Sequence, residues 1–398
     1  MRVAYVCADR GVPVFGTKGS SVHVRAIVGA LLRRGAEVDV FAARLGGSPP
    51  AEVATARFHR LPRTTREDAA SRERASLAAN ADLRASLERL GPFDLVYERY
   101  SLWSHAGMEY ARDTATPGVL EVNAPLIEEQ ATYRGLVDRA GAEEVAERCF
   151  GAAGALVAVS SGVAAHLEDQ PAARGRVHTI PNGVDLARFG ARAASAPGAP
   201  FTVGFVGTLK PWHGLETLIE AFDLICREEA GARLLIVGDG PERDRLAADV
   251  ARRGLSGAVR FFGAADASRV PSLLAEMDVA VAPYPDLRPF YFSPLKVYEY
   301  MAAGLAVVVS AVGDIPDLVA HGEAGVLCAP GDAPDLARAL ADLRRDPALR
   351  QRLGRAARAR VERRHTWDSV CERILELRGH TLTGAPMNAP VPDASAVL

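Results

Sequence analysis

The feature that most constrains the fold of this chain is an alternation of β-rich apolar runs with amphipathic helical segments, and it occurs twice. In the first half, strands are predicted at residues 2–8, 37–42, 94–97, 119–122, 155–159 and 177–180. After an Ala/Gly/Pro/Ser-rich stretch at 191–200, they are predicted at 202–206, 233–237, 259–262, 279–282, 306–309 and 325–327. Such alternation indicates parallel βαβ units. We therefore predict an α/β protein with two doubly wound domains.

The length of 398 residues also favours two domains over one core. We place the first domain at 1–190 and the second at 191–365, followed by a helix at 366–378. Residues 379–398 are rich in Pro, Ala and Gly, which predicts a disordered tail. Because parallel sheets bind ligands at the carboxyl ends of their strands, two such domains predict a site in the cleft between them.

Composition excludes several classes of protein. The net charge of −2 is spread evenly, so neither half predicts a surface for nucleic acid. No apolar run has the ~18 residues of a membrane helix, and no signal-peptide pattern opens the chain. The five scattered cysteines predict free thiols in a reducing cytoplasm. No Asp-x-Asp pair is present, which argues against a metal-bound diphosphate.

The stretch at 289–304 is typical of a helix that binds an anion. Ser293 is a suitable N-cap and Pro294 suits the first helical position, so the first-turn amides would be free to bind phosphate. Lys296 adds positive charge, and Glu299 lies on the same face ~7.5 Å along the axis from Pro294. A capped core helix with a solvated glutamate is the alternative interpretation.

Two more strand-to-helix loops are candidates for the site. In 204–214, Gly207 permits close backbone approach, and Lys210 and His213 offer cationic or donor groups. In 14–24, Gly19 precedes a helix that Ser20 or Ser21 can cap, giving a second anion-ready helix end. Taken alone, residues 204–214 are also consistent with an ordinary βα turn, and residues 14–24 with a flexible surface loop.

Weaker signals complete the set. Gly238 and Gly240 form a turn with only two glycines of a dinucleotide fingerprint, so they support a nicotinamide cofactor weakly. His23 and His105 follow strand ends, but single histidines are more often structural than catalytic.

The chain up to about residue 378 resembles the retaining glycosyltransferases of family four, which have the GT-B fold of two facing Rossmann-like domains. The resemblance rests on four segments in the same order: the Gly19 loop, 181–185, 207–214, and 293–304 with 306–317. It implies that the second domain holds a nucleoside-diphosphate sugar, such as a UDP- or GDP-sugar, that the first holds the acceptor, and that the last helix crosses back to the first domain.

The resemblance also implies roles for single residues. Glu299 would bind the ribose hydroxyls and Gly19 would approach the diphosphate. The diphosphate and sugar would be held by Ser293, Pro294, Leu295 and Lys296, and the base by Gly238, Gly240 and Phe262. No metal or other cofactor is expected.

Four positions depart from the family pattern. Tyr291 replaces a glutamate that binds the sugar, and Asn123 replaces a histidine of the acceptor side, where Ser21, His23 and His105 are further weak candidates. Thr208 and His213 replace the Arg and Lys that clamp the phosphates. Lys210, His213 and Lys296 are the candidates to replace that charge, with Arg288 as a further one.

The predicted function is a metal-independent, retaining transfer of a hexosyl or N-acetylhexosaminyl group to a hydroxyl acceptor, either a small metabolite or a glycan, in a bacterial cytoplasm. The Arg-rich segment 57–74 could meet an anionic or lipid-linked acceptor, although a solvated helix face explains it as well. The alternatives are a nucleotide-sugar epimerase of the same fold, a non-catalytic nucleotide-sugar-binding protein and, on the Gly238 turn alone, a dehydrogenase.

Overall fold

The computed structural model describes residues 1–62, 68–190, 198–228, 231–287, 290–291 and 293–381, without the side chains of 380 and 381. Arg288, most of the predicted linker and positions 382–398 of the predicted tail lie outside the described residues. The tail prediction begins too early, because the last helix continues to Thr381.

The first domain contains a seven-stranded parallel sheet in the order β3-β2-β1-β4-β5-β6-β7. Its central strands are largely apolar and buried, as expected of a sheet covered on both faces, whereas the edge strand at residues 57–60 begins and ends with arginine. Their bounds are β1 Arg2–Cys7, β2 Glu37–Ala42, β3 Arg57–Arg60, β4 Leu95–Arg99, β5 Gly118–Val122, β6 Ala155–Ala158 and β7 Val177–Thr179.

The second domain contains a six-stranded parallel sheet in the order β10-β9-β8-β11-β12-β13. The two sheets confirm the predicted pair of doubly wound domains; β3 was not predicted. The strand bounds are β8 Thr202–Val206, β9 Arg233–Val237, β10 Val259–Gly263, β11 Val279–Ala282, β12 Ala306–Ser310 and β13 Val326–Cys328.

Helices connect the strands in both domains. In the first domain they are α1 Gly19–Arg33, α2 Ala69–Leu90, α3 Ala106–Asp113, α4 Leu126–Tyr133, α5 Arg139–Ala152 and α6 Ser161–Glu168. After β8 they are α7 Leu215–Glu228, α8 Arg243–Arg252, α9 Val270–Ala275, α10 Leu295–Ala302, α11 Ile315–Val319, α12 Ala333–Arg345, α13 Pro347–Arg364 and α14 Trp367–Thr381.

The strand order of each sheet indicates where a ligand would bind. The order reverses between β1 and β4 in the first sheet and between β8 and β11 in the second. Ligands of open parallel sheets bind at such switch points, beyond the carboxyl ends of the strands. Helix α1 follows β1, the 207–214 loop follows β8, and α10 follows β11, so all three segments singled out from the sequence lie at a switch point.

The chain passes from one domain to the other twice, and the two crossings lie side by side. Val184 forms a parallel bridge with Thr366, and its N–H donates to the His365 carbonyl at 2.8 Å. Beyond this bridge, α14 packs against α1, β5 and β6. Its residues Trp367, Val370, Cys371, Ile374 and Leu377 are buried in the core of the first domain.

A second contact joins the domains at the start of α6. The Asp314 carboxylate accepts hydrogen bonds from the Ser161 N–H, at 2.8 Å, and from its hydroxyl. Ser160 Oγ donates to the Tyr291 carbonyl at 2.8 Å. At Gly162 an added Cβ would lie 2.6 Å from the Phe290 carbonyl oxygen, so the backbones of the two domains nearly touch there. The two domains are therefore in direct contact at the start of α6.

Candidate functional site

Helix α10 begins one residue later than the sequence predicts. Pro294, with φ −83° and ψ 72°, occupies the N-cap, and Leu295 is the first helical residue. Ser293 does not cap the helix, because the non-helical ψ of Pro294 turns the chain between them. Ser293 Oγ is instead buried, and its hydrogen bond with the Tyr298 hydroxyl partly offsets the rise that burial causes in the pKa of Tyr298.

Lys296 is the most unusual group of this helix end. Its Nζ is shielded from solvent and has no hydrogen-bond partner in the described part of the chain. The ammonium lies 4.5 Å from the Phe205 ring centroid and 5.3 Å from that of Tyr284. Burial lowers the pKa of Lys296 to about 7, and Glu299 partly offsets this. An unpaired buried cation costs free energy unless an anion joins it, so the position is prepared for an anionic ligand.

The loop after β8 lies directly over this lysine. Gly207 has φ +153°, and a Cβ there would lie 3.1 Å from Lys296 Nζ. Burial, with Lys296 as the next cause, lowers the pKa of His213 to about 3. The imidazole is therefore neutral near pH 7, and its Nδ1–H donates to the Thr208 carbonyl at 2.5 Å. His213 can offer Nε2 as an acceptor, but it does not replace the charge of a phosphate-clamping lysine.

Lys210 and Thr208 lie further out on the same loop. The Lys210 ammonium is 5.4 Å from the Trp212 ring centroid, and Thr208 is exposed. Of the residues that the sequence offered as a phosphate-binding cation, Lys296 is thus buried and Lys210 is more exposed.

Glu299 has a partner that the sequence did not reveal. Arg188, the last residue of the 3₁₀ turn Leu186–Arg188, donates from Nη1 to Glu299 Oε1 at 3.1 Å. Burial raises the pKa of Glu299, whereas Arg188 and Lys296 oppose that rise. The two residues are 111 positions apart, so spacing gives no signal of the pair. The only sequence clue was that Arg188 follows the 181–185 segment.

The N-terminus of α1 faces the start of α10 across the cleft. A Cβ at Gly19 would lie 3.4 Å from Leu295 Cδ1, which brings together two helix ends from different domains. The predicted capping by Ser20 or Ser21 is wrong, since the N-cap is Lys18 and no side chain caps it. Arg25 holds the preceding loop by donating to the carbonyls of Val14, at 3.0 Å, and Gly16, at 2.6 Å.

The acceptor-side candidates His23 and Asn123 meet at one buried carboxylate. Glu121 lies 3.2 Å from His23 Nε2 and accepts from Asn123 Nδ2 at 2.5 Å and from Arg99 at 3.2 Å. Despite the opposing effect of burial, His23, Arg99 and the Tyr97 hydroxyl, which also donates to this carboxylate, lower the pKa of Glu121 to about 2. The bond to Nδ2 orients the Asn123 amide so that its oxygen is directed away from Glu121. Ser21 is fully buried nearby on α1, with no hydrogen-bond partner among the described residues for Oγ.

His105 is separated from this group. Its Nδ1 lies 2.9 Å from Glu109 and 3.2 Å from Arg148, and both partners belong to helices α3 and α5. This environment favours a structural role.

The predicted base-binding turn has a packing function. A Cβ at Gly238 would lie 1.9 Å from the Gly207 carbonyl oxygen, and one at Gly240 would lie 2.4 Å from that of Leu209. The two glycines therefore let this turn pack on the loop over Lys296. Phe262, at the end of β10, is 38% exposed, and the guanidinium carbon of Arg260 lies 6.0 Å from its ring centroid.

Tyr291 lies between the domains. Its ring packs against the core of the first domain, and burial raises its pKa to about 12, with Glu129 and Tyr133 as further causes. Tyr133 is 66% exposed, and its ring centroid is 6.3 Å from that of Trp212 in the opposite domain. The mouth of the cleft thus carries aromatic side chains from both domains.

A cavity of about 240 Å³ opens at the strand ends of the first domain. Its wall has apolar parts, among them Trp103 and Leu126, and charged groups of both signs, among them Arg72 and Glu129. Within the described part of the Arg-rich segment, Arg72 lines this cavity, whereas Arg57 pairs with Asp39 and Glu37 at the opposite end of the sheet. Among the described residues, no cluster of three or more metal-ligating side chains occurs. In the same portion of the chain, no helix is long and apolar enough to span a bilayer.

Comparisons with known proteins agree with this geometry. The model of the Glycosyltransferase Family 4 domain matches residues 17–188, and that of the Glycosyl transferases group 1 domain matches residues 200–346. The two matches divide the chain where the two sheets divide it.

Curated relatives include a glycogen synthase of Mycobacterium tuberculosis, which is 34% identical over 49% of this chain and 46% of its own length. A D-inositol 3-phosphate glycosyltransferase of Streptomyces avermitilis is 31% identical over 71% of this chain and 64% of its own length. The chain therefore spans less than two thirds of the length of these relatives.

Solved structures share the whole fold. A sucrose-phosphate synthase of Thermosynechococcus elongatus superposes with a TM-score of 0.75 at 22% identity, covering 96% of this chain and 100% of that one. The Anabaena protein HepE in complex with UDP gives a TM-score of 0.70 at 21% identity, covering 94% and 99%. The fold, the segment order and the two family matches together show that the chain belongs to the group 1, family 4 glycosyltransferases.

Proposed function

We propose that this protein transfers a hexosyl or N-acetylhexosaminyl group from a nucleoside-diphosphate sugar to a hydroxyl acceptor, with retention at the anomeric carbon. The observation that carries the proposal is the buried ammonium of Lys296, which has no hydrogen-bond partner among the described residues, at a helix end that faces the start of α1. A diphosphate placed there receives a positive charge and the positive ends of two helix dipoles.

The same groups support the chemical step. The bond between the anomeric carbon and the diphosphate oxygen breaks, and a bond from the acceptor oxygen forms on the same face of the sugar. The acceptor proton passes to the departing phosphate oxygen, so the nucleoside diphosphate leaves with it. Lys296 and the helix amides stabilise the negative charge that grows on this leaving group, which lowers the barrier most in a closed, water-poor cleft.

The chain supplies the other substrate contacts from both domains. Glu299 Oε2 is available for the ribose hydroxyls, since Arg188 contacts Oε1. The ring of Phe262 offers a face to the base. In the first domain, the 240 Å³ cavity at the strand ends is of a size to admit a small hydroxylated acceptor or the end of a glycan. UDP is the first nucleotide to test, because HepE was solved with it.

A panel of UDP- and GDP-sugars, scored by the rise in melting temperature, identifies the donor, since a ligand of the folded state raises stability. Transfer is then followed by NMR of the product, in which the anomeric coupling reports retention or inversion. The proposal requires transfer with retention in excess chelator, and a strict need for added metal contradicts the metal-independent step. Isomerised donor in the absence of acceptor would favour an epimerase. Donor binding without any turnover across a broad acceptor panel would favour a non-catalytic binding protein.

A further inference from the structure

Arg188 is placed to act on the nucleotide site from the connection between the domains. It ends the 3₁₀ turn that follows the first crossing of the chain, and Asp185 Oδ1 fixes this turn by accepting from the Ala187 N–H at 3.0 Å. Four residues before Arg188, Val184 bridges to Thr366 at the second crossing. The backbone that carries Arg188 is thus part of the junction of the two domains.

The guanidinium of Arg188 makes two directional contacts with the second domain. Nη1 donates to Glu299 Oε1 at 3.1 Å, and Nη2 donates to the Ala267 carbonyl at 2.8 Å. Its carbon lies 5.3 Å from the centroid of the Phe189 ring. Because a planar guanidinium held at two nitrogens has little rotational freedom, it fixes the carboxylate that it contacts.

The ion pair between Arg188 and Glu299 differs from an exposed surface pair. Three quarters of each of the two side chains is removed from solvent, which strengthens their attraction relative to an exposed pair. Arg188 also lies close enough to Arg25, on the α1 side of the cleft, to add to the lowering of the pKa of Arg25 by burial, whereas Glu52 opposes that lowering.

From this geometry we infer that Arg188 is a positioning residue for donor recognition: it orients the Glu299 carboxylate toward the ribose hydroxyls and ties it to the interdomain junction. The inference rests on the proposed function. With Oε1 held by Arg188, Oε2 faces the ligand, and the carboxylate does not rotate away when the site is empty. Arg188 itself touches neither the reacting carbon nor the leaving group.

The experiment is a double-mutant cycle on nucleotide binding, measured by calorimetry with UDP and with 2′,3′-dideoxy-UDP, or with the guanosine pair if GDP is the nucleotide that binds. We expect Arg188→Ala to weaken binding of the ribose nucleotide roughly tenfold and to leave binding of the dideoxy nucleotide nearly unchanged. In the Glu299→Ala background the same substitution should have no further effect. Arg188→Lys should restore part of the discrimination, since an ammonium can pair with Glu299 but cannot bridge to Ala267 as well.

Arg269→Ala is the matched control, because this arginine is exposed near Ala267 and should leave both affinities unchanged. Melting temperatures of all variants separate loss of folding from loss of recognition. Equal weakening of both nucleotides by Arg188→Ala, or additive losses in the double variant, would overturn the inference. If the unmodified protein binds neither pair of nucleotides, it is the proposed function that fails.

Discussion

Replacing Lys296 by Met should stabilise the ligand-free protein while it removes diphosphate binding. Burial lowers the pKa of this lysine from 10.5 to about 7. Each pKa unit is worth about 1.36 kcal/mol, so the charged form is disfavoured in the folded state by roughly 4 to 5 kcal/mol. The contacts with the Phe205 and Tyr284 rings offset about 1 to 2 kcal/mol of this cost. Methionine keeps the apolar packing without the charge, so we expect a net gain of about 2 to 4 kcal/mol.

The sign of the pH dependence makes this prediction specific. Because the pKa of Lys296 is lower in the folded than in the unfolded state, the destabilisation is complete below about pH 7 and disappears as the pH approaches 10.5. The variant should therefore melt about 2 to 5 °C higher at pH 6.5, and the difference should shrink steadily toward pH 9.5. Arg352→Met removes an exposed cation of helix α13 and serves as the control.

Melting curves of the free protein and of the protein with excess UDP provide the assay. The unmodified protein should gain stability with UDP, and Lys296→Met should gain far less. A variant that melts below the unmodified protein at pH 6.5, or a stability gain that is the same at both pH values, would refute the argument that Nζ is an uncompensated buried charge.

Three other predictions concern the cleft between the domains. The affinity for UDP should fall about tenfold per pH unit above pH 7.5, because binding requires protonated Lys296. The terminal phosphate titrates near pH 6 and is already ionised in this range. Calorimetry should show that the pH dependence of the affinity disappears in Lys296→Met. Gly162→Ala should lower kcat severalfold by pushing the Phe290 carbonyl away, whereas Gly151→Ala, where a Cβ meets nothing within 4 Å, should stabilise helix α5 by about 0.5 to 1 kcal/mol and leave kcat unchanged. Asp314→Asn should weaken the hold on the start of α6 by about 1 kcal/mol and enlarge the radius of gyration in small-angle scattering; an unchanged radius would argue against its role in closure.

The sequence predicted the two sheets because each strand is a short apolar run bounded by turn residues, and this local pattern is what a buried parallel strand requires. Strand β3 escaped prediction because its residues Arg57 and Arg60 are charged at an edge position. The start of α10 was predicted one residue too early, since serine is a favoured N-cap residue but the backbone at Pro294 is not helical.

The chemistry of the site was less predictable than its location. The loop at Gly207 and the helix at Lys296 could be recognised separately, but the neutral state of His213 follows from burial and from the neighbouring Lys296, which only the fold supplies. In the same way, the pairing of Arg188 with Glu299 depends on how the interdomain junction meets α10.

Helix α14 has a consequence for the order in which the chain can fold. Its buried face, which includes Trp367 and Ile374, completes the core of the first domain, although nearly all of the second domain precedes it in sequence. During synthesis, a nascent chain that has emerged only as far as β7 lacks part of its hydrophobic interior. The second domain, whose strands are contiguous in the chain, can finish first, and the first domain stays incomplete until the last helix leaves the ribosome.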